Sequence, residues 1–254
     1  MIIKILTLFP EMFDGFLTNS IIKRAIAKEV IKIEIINIRD YTTDKYNRVD
    51  SYPVGGGAGL IMKCQPIVDC LKHNKGKNAH VIMLSPRGKA YNQKVARELS
   101  NKDEIILLCG HYEGIDERVN KYVDEQISIG DYVLTGGELG AMVVSDSIIR
   151  LLDGAIATDS TIEESFENGL LEYPQYTEPF DFEGDKIPDI LYSGNHTAIN
   201  KWRQKQSLLL TKELRPDLFE KYKLNKQDIK LLNEGNEKAS WELAAIEKGK
   251  KFIK

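Results

Sequence analysis

The chain has 254 residues, 42% of them hydrophobic, and its 35 Lys and Arg against 38 Asp and Glu leave a formal net charge of −3. This is enough apolar material for a sizeable core, so a folded globular protein is expected. No run of eighteen apolar residues occurs, and the start at Met1 lacks a charged leader, a long apolar stretch and a small-residue cleavage site, which argues against a membrane span or a secretory signal.

Cys64, Cys70 and Cys109 form no even framework, pointing to buried thiols in a reducing cytoplasm. The set Cys64, Cys70, His73 and His80 matches no zinc-ligand spacing, and no metal site is expected. Charge is uneven along the chain. Residues 193–254 hold 14 Lys and Arg against 8 Asp and Glu, leaving 21 basic and 30 acidic residues in the first 192. A basic tail suits a nucleic-acid handle, and it equally suits a solvated, lysine-rich helical surface.

Residues 2–9 and 31–38 are rich in Ile and Leu with little alternation, as in strands covered on both faces, and a helix over 12–28 connects them. Two further short apolar strands are expected at 80–85 and 104–109, separated by a helix over 91–99. A short helix containing Glu117, Arg118 and Lys121 precedes a strand at 125–129. A buried helix over 139–152 follows, with Ala141, Val144, Ile148 and Leu152 on one face. The alternation of strand and helix predicts an α/β fold with a mostly parallel sheet.

From 153 to 189 the chain turns acidic and rich in Gly and Pro, and 155–172 is expected to be a flexible interdomain linker. Helical patterning returns over 198–212, 217–222 and 226–248, with Arg215-Pro216 as a break. The expected organisation is a domain at 1–154, the linker, and a small all-helical domain at 173–254.

Three glycine-bearing loops follow strands: SPRGK at 85–89, CGHYEGID at 109–116 and IGDYVLTGGE at 129–138. Loops at the carboxyl ends of strands are where an open α/β sheet binds its ligand, and glycine lets the backbone approach a planar group closely. None carries a dinucleotide fingerprint or a triphosphate loop, which disfavours nucleotide hydrolysis. On glycine placement alone, a set of tight structural turns is the favoured reading. A fourth glycine run, PVGGGAGL at 53–60, suits a flap over a substrate.

Taken in order, LFPEMF at 8–13, the run at 53–60, SPRG at 85–88, the loops at 109–118 and 129–139, SGNH at 193–196 and Trp202-Arg203 resemble the bacterial tRNA (guanine-N1)-methyltransferase family of the SPOUT superfamily, nearly end to end. The resemblance implies a deep trefoil knot in the first domain and a homodimer whose active sites are shared between subunits. It further implies S-adenosylmethionine as methyl donor, Mg²⁺ as a possible accessory ion, and tRNA as substrate, methylated on the guanosine just 3′ of the anticodon. The methyl-donor site then maps to Pro86, Gly110, Tyr112, Ile129, Gly130, Asp131, Tyr132, Val133, Leu134, Gly136 and Gly137.

Guanine N1 carries a proton and its lone pair is tied into the ring, so methylation there needs a base at N1 and positive charge near O6. By resemblance the guanidinium is Arg150, and Glu113 is a carboxylate near the sulfonium and the guanine edge. The family's base is an aspartate directly before Ser-Phe. This chain reads IEESF at 162–166, placing Glu164 there, with Glu163 or Asp159 as substitutes. His111 stands where arginine is common. Lys201, Arg203 and Lys205 are the phosphate candidates, and Trp202 is expected in the core. Alternatives are another SPOUT methyltransferase, acting on rRNA or a ribose 2′-hydroxyl, and a noncatalytic RNA-binding member.

Overall fold

The structure, a computed structural model, describes residues 1–156, 164–235 and 237–249. Asp159 and Glu163 lie outside the described residues. The chain divides into two compact units, Met1–Thr158 and Asp159–Lys254.

The first unit is built on a five-stranded, all-parallel sheet. Its strands are β1 (Ile2–Thr7), β2 (Lys32–Asn37), β5 (His80–Ala90), β6 (Glu104–Leu108) and β7 (Glu125–Ser128), in the order β2-β1-β6-β5-β7. Side chains alternate faces along a strand, so each apolar strand feeds two cores. Ile3, Ile5, Ile105 and Leu107 enter one cluster with α2 (Ser20–Ala27), α4 (Gln93–Ser100) and α5 (Glu138–Ile149). Leu6, Ile106 and Leu108 enter the other with α3 (Cys64–Asn74). Burial on both faces is why these strands read as continuous Ile and Leu runs.

Several elements depart from expectation. The helix expected over 12–28 is three pieces: a 3₁₀ turn at Pro10–Phe13, α1 (Asp14–Thr18) and α2, with Ser20 at a positive φ of 53° at the joint. The helix α3 was not foreseen, although Ile67, Val68 and Leu71 bury one face of it at helical spacing. A small antiparallel pair, β3 (Asp50–Ser51) with β4 (Ile61–Met62), frames the glycine run.

Residues 85–89 are not a loop that simply ends a strand. Leu84 and Lys89 both stand opposite Ile127, so the chain leaves the ladder and rejoins it within β5. Gly88 sits against the β7 backbone at that point, where an added Cβ would lie 2.5 Å from the carbonyl carbons of Gln126 and Ile127.

In the second unit, α6 (His196–Leu214) is capped by the Asn195 side chain, which accepts from the Ala198 amide at 3.1 Å. Ala198 and Trp202 pack with Ile190, Ala245 and Ile246, and Leu208 packs with Leu170 and Leu231. Three expectations are corrected here. A short hairpin, β8 (Asp181–Phe182) with β9 (Asp185–Lys186), means the unit is not all-helical. The helix expected over 226–248 is two, α8 (Lys226–Asn233) and α9 (Ser240–Gly249), following the short α7 (Pro216–Phe219). Gly235 lies between α8 and α9 at φ +59°, a conformation that ends a helix. Residues 164–172, expected as free linker, are anchored: Leu170 is buried, the Leu171 amide donates to Thr211 Oγ1 at 2.8 Å, and that of Glu172 to Ser165 Oγ at 2.9 Å.

Two outcomes follow. Gly88→Ala forces backbone apart at the β5–β7 crossing and is expected to lower stability by about 1–3 kcal/mol, read as a lower urea midpoint. Burial pushes the Cys70 thiol up to about 12 and the Cys109 thiol well above its usual range. Native protein titrated with a thiol reagent at mildly alkaline pH should therefore react only at the half-buried Cys64.

Candidate active site

The carboxyl ends of β5, β6 and β7 meet the start of α5 around a cleft of about 540 Å³. A cavity of roughly 300–1,000 Å³ suits a small organic ligand. Leu84, Ile115, Ile127, Ile129 and Leu134 give it an apolar wall, and Ser85, Arg87, His111, Glu113 and Thr135 supply polar groups.

Backbone contacts between loops build the cleft. The Gly137 amide donates to the Gly110 carbonyl at 2.8 Å, and His111 forms an antiparallel bridge with Gly136. An added Cβ on Gly137 would stand 2.8 Å from Cys109 Cα and 3.0 Å from the Gly110 nitrogen, so only glycine fits this approach. Gly130, at φ +152°, lies under the Tyr132 ring, whose hydroxyl donates to the Ile129 carbonyl at 3.3 Å.

A buried polar link ties this region to β1. Glu138, the first residue of α5, is 1% exposed, and its Oε1 accepts from Thr7 Oγ1 at 2.7 Å. Thr7 Oγ1 also accepts from the Phe9 amide at 3.0 Å. After burial, the nearby Glu138 carboxylate is the second cause that raises the Cys109 thiol. A side chain at Gly136 would run into both Glu138 and the His111 ring. The His111 ring packs 4.7 Å from that of Phe9, and its buried Nδ1 has no hydrogen-bond partner among the described residues. Neither Thr7 nor Glu138 was singled out from sequence as a functional pair. The only signal was a polar residue ending an apolar strand and an acid opening a helix.

Of the residues mapped to the methyl-donor site, Pro86, Gly110, Tyr112, Ile129, Gly130, Tyr132, Val133, Leu134, Gly136 and Gly137 line the cleft. Asp131 does not; its side chain is exposed beside it. Tyr112 adopts φ +58°, uncommon for a non-glycine residue. Its phenol is pushed up by burial and then by the Asp50 carboxylate, while Arg39 pulls the other way. Glu113 lines the cleft and packs over Gly59 of the glycine run.

Arg150 caps α5 with αR geometry, half-buried and outside the cleft lining. Glu164 belongs to the second unit, where its carbonyl accepts from the Glu167 amide at 3.3 Å. In that unit Arg203 lies 4.6 Å over the Tyr173 ring and Lys201 4.0 Å over Trp241. Burial, ahead of the neighbouring lysines, pulls the Lys201 ammonium below its usual range. Lys205 is not a surface cation. It is 2% exposed, donates to the Glu237 carbonyl at 2.8 Å and lies 3.8 Å from Glu234, because it shares the inward face of α6 with Trp202 and Leu208.

Among the described residues no group of three His, Cys, Asp or Glu could hold a metal ion, and no helix is long and apolar enough to cross a membrane.

The family described as tRNA (Guanine-1)-methyltransferase TrmD matches residues 1–221. A Clostridium perfringens protein named tRNA (guanine-N(1)-)-methyltransferase is 59% identical over 232 residues, covering 91% of this chain and 98% of its own. A protein of the same name from Clostridium botulinum (strain Langeland) is 56% identical over 241 residues, covering 93% and 99%.

Thr7→Val leaves the Glu138 carboxylate buried without its hydroxyl donor. It is expected to lower stability by about 1–3 kcal/mol, whereas Thr7→Ser, which keeps the hydroxyl, should lie close to the parent in the same urea titration.

Proposed function

The chain belongs to the tRNA (guanine-1)-methyltransferase family, and from that premise we propose that it transfers a methyl group from S-adenosylmethionine to N1 of the tRNA guanosine immediately 3′ of the anticodon. The observation that carries the reading is the cleft at the ends of β5, β6 and β7, walled by close backbone approaches and floored by apolar side chains. A flat nucleoside fits such a wall, because carbonyls and amides recognise the adenine edge while Leu84, Ile115 and Leu134 cover its faces. When bound, S-adenosylmethionine supplies a methyl group activated by its sulfonium.

In this reading Pro86, Gly110 and residues 129–134 hold the methyl donor, with Gly136 and Gly137 closing the loop and Tyr112 at its edge. Membership of the family is what supports a trefoil knot in this unit. Glu113 on the cleft wall places negative charge where a sulfonium is favoured. The Arg150 guanidinium stabilises charge developing on guanine O6, and the Glu164 carboxylate removes the N1 proton. The N1–CH₃ bond forms as the C–S bond breaks, and the proton passes to Glu164. The second unit binds tRNA, with Lys201 and Arg203 on its phosphates. The enzyme works in the cytoplasm as a homodimer with shared active sites, with Mg²⁺ as a possible accessory ion.

The test is methyl transfer from labelled S-adenosylmethionine to a tRNA transcript carrying guanosine or adenosine 3′ of the anticodon, with products identified by mass spectrometry. The expected product is 1-methylguanosine at that guanosine alone, with kcat falling about 100-fold or more in Glu164→Ala. A different methylated nucleoside would overturn the reaction. Undiminished turnover in Glu164→Ala would remove the glutamate as base.

A further inference from the structure

Away from the cleft, a second pocket of about 190 Å³ lies between α3 and the 3₁₀ helix Glu117–Tyr122, lined by the apolar Leu71 and Val123 and by Lys72, Lys75 and Lys121. The acid beside them, Asp124, is already engaged: its Oδ2 accepts from the Val81 amide at 2.8 Å and lies 3.5 Å from Lys75 Nζ. Among the described residues neither Lys72 nor Lys121 has a carboxylate partner. Lys72 Nζ instead stands 5.6 Å from the centre of the Tyr122 ring, which is 40% exposed. Two ammonium groups at one pocket are thus left without a counter-charge, and a bound anion relieves their repulsion.

The local sequence differs from its surroundings. Residues 1–192 hold 21 basic against 30 acidic residues, yet 70–80 contains Lys72, Lys75 and Lys77 and no acid. Lysine binds phosphate as a point charge, and lysines beside an exposed aromatic ring suit a strand that carries both phosphates and flat bases. Both walls lead back to the cleft. Helix α3 starts two residues after β4, which frames the glycine run, and its 11 residues span about 16 Å. The 3₁₀ helix follows the cleft loop directly, and its Val119 packs in one cluster with Leu71. The Asp124 amide donates to the Val81 carbonyl at 2.9 Å where β5 and β7 begin, so the pocket lies at the amino edge of the sheet and the cleft at the carboxyl edge.

We propose that the pocket formed by Lys72, Lys75 and Lys121 is a second RNA contact, which binds a backbone phosphate of the tRNA away from the guanosine that reacts. The inference rests on the methyltransferase reading and goes beyond it, because that reading places phosphate contacts only in the second unit. The pocket adds affinity for tRNA and takes no part in the transfer step.

The experiment measures the Kd of the full-length protein for a tRNA transcript over a range of salt, in the parent, K72Q/K121Q, K72R/K121R and K94Q/K102Q. The last pair removes equal charge on and beside α4, which packs on the other face of the sheet. K72Q/K121Q is expected to bind about tenfold more weakly, with the slope of log Kd against log salt smaller by about 1–2, the signature of two lost phosphate contacts. K72R/K121R keeps the charge and should bind like the parent, as should K94Q/K102Q. In K72Q/K121Q, kcat at saturating tRNA and the Kd for S-adenosylhomocysteine should stay within about twofold of the parent. Equal weakening in both glutamine pairs overturns the proposal by reducing it to net charge. An unchanged tRNA Kd in K72Q/K121Q overturns it as well, and amide shifts at 72–75 and 121–124 on adding inorganic phosphate would then assign the pocket to a free phosphate ester. Because binding is read without turnover, a parent that holds tRNA through this pocket and transfers no methyl group fails the methyltransferase reading alone. A parent that methylates normally and loses no affinity in K72Q/K121Q fails the pocket alone.

Discussion

Three loops share the carboxyl edge of the sheet because glycine stands where their backbones meet. Gly137 passes within 3.0 Å, by its absent Cβ, of both Cys109 Cα and the Gly110 nitrogen, and Gly88 lies flat against the β7 backbone where β5 leaves and rejoins its ladder. A single methyl group at either place would separate segments that now touch. The cleft is what remains between them, lined by these loops at a spacing set by backbone contact and backed by the two cores that flank the sheet. In the proposed reading, selectivity for a flat nucleoside comes from the main chain, whose position the cores hold.

Electrostatics reinforce that frame from inside. Glu138 is buried at the start of α5, where its Oε1 accepts a hydrogen bond from the Thr7 hydroxyl. The link joins β1 to the helix that closes the third loop, so the end of the first strand and the wall of the cleft are held by one carboxylate. In the second unit Lys205 plays a comparable role, spanning from α6 to Glu234 and the Glu237 carbonyl beneath the surface. Both buried side chains have specific partners, which is the condition for keeping a polar group in a core.

Much of the first unit was legible in the residues. The Ile and Leu runs announced buried parallel strands, and two of the three glycine loops, 109–116 and 129–138, fell at strand ends, with all mapped cleft residues but Asp131 lining one cavity. What escaped were features set by partners far along the chain. The Thr7–Glu138 bond joins residues 131 apart, and no local pattern announces it. The return of residues 85–88 to the ladder depends on the neighbouring strand, not on SPRGK itself. Lys205 is a different case, because Trp202, Lys205 and Leu208 recur at three-residue spacing and already place it on the inward face. Likewise α3 carries an amphipathic pattern, burying Ile67, Val68 and Leu71 on one face, and Gly235 marks the stop between α8 and α9.

The central claim is that the glycine-walled cleft holds the methyl donor. A crystal structure of the protein with S-adenosylhomocysteine tests it most directly. The account predicts the adenosine between Pro86, Gly110 and residues 129–134, with its adenine edge on main-chain groups and Leu134 over its face. A ligand bound elsewhere on the chain, or one in the cleft held by side chains with the loop backbones out of reach, would contradict it.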